Sequence, residues 1–230
     1  MSDTTTKTAD AATDVWDDAK WHRYGYLAGV LFVVLQVVSF AVSGSPPDRD
    51  ASAAEIGAYF VDNADGIKLG AILFGVAFIP AIWFIASLWR TIARLEPSGP
   101  RLAVIALIGF VMSGAISAGA QALFVAPALR PDTLVGSSEF VWVVGFAAFG
   151  FSSAATAAHM MALGALVLWK RFLPAWMGYL AFASAALSAL GIVAAGTEVA
   201  VFGLLVLLGF LTWMAWVLIA SILLYRSTAP

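Results

Sequence analysis

Six stretches of this chain, 26–42, 69–89, 102–124, 143–169, 173–195 and 199–225, contain no Asp, Glu, Lys or Arg. Each is about long enough to cross the ~30 Å hydrocarbon core of a bilayer, which takes ~20 residues as a helix. In lipid every backbone N–H and C=O must pair inside the structure, so only helices and closed barrels can span. Barrel strands alternate polar and apolar residues. These runs are apolar all round, which predicts an all-α membrane protein, a six-transmembrane-helix bundle.

Composition agrees. Of 230 residues, 62% are hydrophobic and 11% charged, against about 25% charged in an ordinary soluble domain. A soluble fold this apolar would expose large patches and aggregate. With a net charge of −2 and no basic run, nucleic-acid binding has no electrostatic basis. Cysteine is absent, which excludes disulfides, thiol nucleophiles, Fe–S ligation and thiolate zinc sites.

The expected organisation is a disordered tail over 1–13, an interfacial helix over 14–25, a transmembrane domain over 26–225 and a short tail over 226–230. Asp14 is placed to N-cap the interfacial helix, which carries Trp16, Trp21 and Tyr24, residues that favour the headgroup level. Lys20 and Arg23 precede an apolar run ending Ala41-Val42-Ser43, faintly like a cleavage site. More spans follow, so it reads as an anchor that stays as the first helix.

Basic residues set the orientation. With the N-terminus inside, nine of the twelve lie on the cytoplasmic side: Lys7, Lys20, Arg23, Arg90, Arg94, Arg101, Lys170, Arg171 and Arg226. Arg49, Lys68 and Arg130 fall outside. The positive-inside rule therefore puts both termini in the cytoplasm. The outer segments hold Asp48, Asp50, Glu55, Asp62, Asp65, Asp132, Glu139 and Glu198, making that face anionic.

The first outer loop opens on Pro46-Pro47-Asp48, and its Ser52-Ala-Ala-Glu55 reads as a capping box. Ile56, Tyr59 and Phe60 then share one helical face, and Asp62, Asn63, Asp65 and Gly66 close the element. The prediction is a short amphipathic helix in the first outer loop, plugging the bundle or serving as a gate or docking element. A second Pro-Asp pair at Pro131-Asp132 precedes Glu139. It hints at a three-plus-three arrangement that no other residue similarity supports.

Polar groups inside the spans are few. His159 lies eleven residues before Lys170, or ~16 Å along a helix, close to the midplane. Ser152 and Thr156 share its side. It is either a neutral imidazole bonded to a neighbouring helix or a ligand-binding group. Gln36, Ser113 and Thr212 fall at compatible depths, so the candidate ligand-binding set is His159, Gln36, Ser113, Thr212 and Thr156. Ser39 and Ser117 are further polar groups near the middle, and Gln121 lies nearer the outer end. Pro80 interrupts the second span and is either a structural kink or a hinge. Small residues such as Gly114, Gly119, Gly145 and Gly150 argue for close helix contact, within the monomer, in a homo-oligomer or with other membrane subunits.

Specific chemistries fare poorly. A b-type haem wants two axial histidines at depth, and the second histidine, His22, sits at the surface. Retinal needs a lysine within a span. A rhomboid-like protease places its serine in Gly-x-Ser-Gly, but Val111-Met112-Ser113-Gly114 lacks the first glycine. Aspartyl proteolysis needs buried Asp, and metal-assisted transferases need inner-face acids, of which Glu96 is the one outside the N-terminal region. No catalytic residue, metal ligand or cofactor is assigned.

The segment Pro47-Asp48…Ser52-Ala-Ala-Glu55-Ile56-Gly-Ala-Tyr59-Phe60, and the following span ending Leu88-Trp89-Arg90, resemble a family of uncharacterised six-span membrane proteins of actinobacteria. The resemblance implies the fold and a location in a bacterial plasma membrane, and no activity. The leading expectation is a non-enzymatic protein of the lipid bilayer: an accessory subunit, or a binder of lipid or a small apolar ligand. The alternatives are a small-solute transporter or channel with a midplane site near His159 and, behind it, an intramembrane enzyme.

Overall fold

The computed structural model describes residues 7–197 and 199–227, with side chains from Lys20 onward apart from Ala200. The helices are α1 (Lys7–Val42), α2 (Ala53–Asp62), α3 (Ala64–Ala93), α4 (Arg101–Leu129), α5 (Pro131–Leu134), α6 (Ser138–Lys170), α7 (Ala175–Gly191) and α8 (Ala200–Ser227). Short 3-10 turns precede α6, at Val135–Ser137, and follow α7, at Ile192–Ala195. No strand occurs among the described residues. Six of the helices are long and apolar enough to cross a membrane, and the chain is an all-α transmembrane bundle.

Several boundaries move. The interfacial helix expected over 14–25 is continuous with the first span inside α1, which begins at Lys7. Residues 7–13 of the expected tail therefore belong to that helix. Residues 1–6, the side chains of Asp14 and Trp16, Glu198 and the last three residues of the chain lie outside the described residues. The break expected across Asp62–Gly66 shrinks to Asn63, because its N–H still bonds Tyr59 O and its carbonyl already accepts from Ile67 N–H. Asp65 and Gly66 sit in the first turn of α3.

The spans form a ring in the order α3, α1, α8, α7, α6, α4. Glycines allow the closest approaches. Gly164 on α6 and Gly178 on α7 face each other so tightly that a Cβ on either would lie within 3.2 Å of the other's carbonyl oxygen. Such contacts are how membrane helices associate when burial from water cannot drive them together. At the basic end, bearing Arg90, Arg101, Lys170 and Arg226, the guanidinium of Arg23 lies 4.3 Å from the Tyr225 ring centre. Exposed Trp21, Tyr24, Trp83, Trp169 and Trp176 ring this end, as an aromatic belt does.

The opposite end is capped. Ser52 and Glu55 form the expected reciprocal capping box of α2, whose Ile56 and Phe60 are 1% exposed. They pack with Ile67, Ala128, Val141 and Trp142 as a second apolar core. Tyr59 donates to Ser43 O at 3.0 Å, and burial pushes its phenol pKa up. Arg49 Nη2 reaches Ala194 O at 2.6 Å and lies over the Phe146 ring, tying the loop across the ring. The two Pro-Asp loops fold differently. Asp48 makes a turn that ends at Ala51 N–H, whereas Pro131 opens the helical turn α5.

Candidate functional site

His159 faces α4 on the buried side of α6 and is 2% exposed. Its Nδ1 donates to the carbonyl oxygen of Ala106 at 2.6 Å, a bond that fixes the tautomer because a carbonyl can only accept. Its ring sits against Phe110, 5.6 Å between centres. One and two turns away on the same face, Thr156 and Ser152 meet Ser113 of α4 at 2.7 and 2.9 Å. Ser117 joins Ser152 at 2.9 Å. The spacings 152, 156, 159 and 113, 117 are those that align side chains on one helical face.

These groups satisfy one another. Ser152 also donates to Ser113 O at 3.1 Å, and Thr156 bonds Ser152 O at 3.2 Å. The histidine's hydrogen bond goes to main chain rather than to a serine, so no nucleophile–base pair is assembled. The arrangement is a polar seam holding two helices together, and bonds of this kind contribute about 0.6–2 kcal/mol each in membranes.

The other two members of the expected set lie elsewhere. Thr212 turns its hydroxyl onto its own helix, at Leu208 O (2.5 Å) and Gly209 O (3.0 Å). Gln36 lies on α1 between Phe32 and Phe40, which face Trp213 and Phe210 of α8 at 5.7 and 5.5 Å. It is 4% exposed, and its Oε1 has no hydrogen-bond partner among the described residues. Equal depth thus brings together three of the five, and the remaining two face other neighbours.

A groove of about 530 Å³ lies between α3 and α4. α3 contributes Phe78, Ile82, Ile85, Ala86 and Trp89; α4 contributes Leu107, Phe110, Val111, Gly114 and Ala115. Every lining side chain is apolar. Gly114 of α4 comes closest to Phe78 of α3, and Ala86, Gly114 and Ala115 bring little side-chain bulk to the lining. Ile82, 62% exposed, and Val111 stand on its outer lips, so it opens toward the hydrocarbon. From Phe78 to Trp89 is eleven residues, or ~16 Å at 1.5 Å per residue. That matches about half of the ~30 Å core, one leaflet. Pro80, buried in α3 two residues beyond Phe78, withholds an N–H from the helix at this level.

Sequence reasoning passed over this groove because its lining has the composition of any lipid-facing surface. The available signal was the small residues Ala86, Gly114 and Ala115, which mean a groove only once the pairing of α3 with α4 is known. At the basic end, Glu96 is committed to the backbone: its carboxylate accepts from Leu102 and Ala103 N–H at 3.3 and 2.9 Å, capping α4. His22 is bonded to Tyr26 at 2.9 Å and to Thr91 at 3.2 Å, joining α1 to α3. No group of three His, Cys, Asp or Glu side chains stands close enough to hold a metal among the described residues.

No family model matches this chain, and searches of curated proteins and solved structures find no match either.

Proposed function

We propose that this protein is a non-enzymatic lipid-binding membrane protein that holds an acyl chain in the groove between α3 and α4. One observation carries the reading: a wholly apolar, lipid-open groove whose length matches a single leaflet. A chain seated there buries methylene groups against fixed side chains and gains dispersion contacts that mobile lipid does not provide. The state of His159 supports binding over transport or catalysis. A solute path or a general base at the midplane needs an accessible polar group, and this imidazole is enclosed and bonded to main chain. The same reading keeps the actinobacterial six-span resemblance, the plasma-membrane location and cytoplasmic termini as expectations, with other membrane subunits as candidate partners.

The test is lipid retention. Protein purified in mild detergent is examined by native mass spectrometry, alongside Ala86→Trp and Gly114→Leu, which fill the groove. Wild type should carry lipid, and both variants should lose most of it while keeping their thermal unfolding transition. Equal retention by folded variants would overturn the reading. Orientation is separately testable because the chain has no cysteine. A cysteine at Asp48 should react with a membrane-impermeant reagent added outside intact cells, and one at Arg101 should not.

A further inference from the structure

We infer that the occupant is an anionic phospholipid, with its headgroup at the basic end of the α3–α4 groove. This rests on the acyl-chain reading above and adds the headgroup chemistry. The lipid-facing lip of α3 runs through Ile82 and Ala86, and Arg90 follows at the next i+4 position. The lip of α4 runs down from Val111 through Val104 to Arg101. Followed past the groove toward the basic end, α3 reaches Arg90 directly after Trp89, and α4 reaches Arg101 six residues beyond Leu107. Arg94 stands one turn beyond Arg90, and both Arg94 and Arg101 are exposed.

Position and chemistry agree. Trp89, at the inner end of the groove, marks the level where indole rings favour the headgroup boundary. A chain seated from Phe78 to Trp89 brings its phosphate to the turn that carries Arg90 and Arg101. Guanidinium groups suit phosphate because their planar donor forks make paired, charge-assisted bonds. Glu96, the carboxylate of the α3–α4 connection, is turned onto the N-terminus of α4. There the helix dipole offsets its charge.

The experiment compares phosphatidylglycerol with phosphatidylcholine, both carrying the same two oleoyl chains. Each is titrated into delipidated protein and followed by native mass spectrometry. Wild type should prefer the anionic lipid, by about fivefold for each arginine engaged. The preference should shrink in high salt, where surface charges are screened. The R90Q/R94Q/R101Q variant should bind both lipids at the wild-type phosphatidylcholine level, and the R90K/R94K/R101K variant should recover much of the preference. Equal wild-type affinity for the two lipids would overturn the headgroup assignment and leave the groove reading standing. So would an unchanged preference in the glutamine variant. If wild type binds neither lipid, or if Ala86→Trp binds both as well as wild type, the groove reading fails too.

Discussion

The imidazole Nδ1 of His159 and the main-chain oxygen of Ala106 lie 2.6 Å apart across the seam between α4 and α6. The bond makes the one histidine at depth a fastener between helices. Replacing it with alanine removes the donor and leaves a hole in a tightly packed region. His159→Ala should destabilise the protein by about 2–4 kcal/mol, measured as unfolding in a denaturing detergent titration. Lipid retention per folded molecule should be unchanged, because the ring is not in the groove lining. A selective loss of lipid with stability intact would contradict this role.

Gly109 sets how closely that seam closes. A Cβ there would stand 2.8 Å from Ala155 O and 2.9 Å from His159 N, both backbone atoms of α6 that cannot swing aside. Gly109→Leu should therefore part the helices and cost roughly 1–3 kcal/mol, with Gly109→Ala milder. Gly75, which meets nothing within 4 Å, is the control. Gly75→Ala should be neutral or slightly stabilising, since alanine is the better helix former. Similar unfolding midpoints for Gly109→Leu and Gly75→Ala would show that the seam is not close-packed.

Gln36 presents the opposite case, a polar group enclosed with its Oε1 unpartnered among the described residues. Leaving a buried acceptor unsatisfied costs about 1–3 kcal/mol. Gln36→Leu replaces it with an apolar side chain of similar size and should raise the unfolding midpoint. A clear loss of stability would mean that the amide has an important partner, such as bound water or a ligand.

The cap of α2 should respond to acid. Hydrogen bonds from the Ser52 hydroxyl and then the Ser52 N–H hold the Glu55 carboxyl pKa below its ordinary value. A depressed folded-state pKa means the cap contributes fully above the unfolded-state value and is lost as pH falls through the lowered one. Side-chain chemical shifts should thus show Glu55 titrating below the ordinary carboxyl range. In Ser52→Ala it should return toward that range, and the α2 amides should lose protection at a higher pH. An unchanged titration in Ser52→Ala would remove the hydroxyl as the cause.

The span count, the capped helix of the first loop and the polar face Ser152–Thr156–His159 were all legible in the sequence. Each is a property of one segment: apolar length, a Ser-x-x-Glu spacing, or a helical repeat of three and four. The unbroken α1 was less legible. A polar, aromatic stretch at a membrane surface suggested a separate element, yet it meets no proline before the apolar run begins and continues as helix through Gly25. The grouping of Gln36 and Thr212 with His159 rested on depth alone, and depth does not say which way a side chain faces.

By itself the sequence determined that this chain lives in lipid, because hydrocarbon can accept only helices or closed barrels, and these runs have the all-round apolar pattern of helices. Tertiary structure decided that His159 and the serines close a seam and that Gln36 stands apart. It also decided that a leaflet-long groove opens between α3 and α4. Those outcomes depend on which helix faces meet and how their side chains fit. An apolar face that packs and one that leaves a groove are written in the same residues.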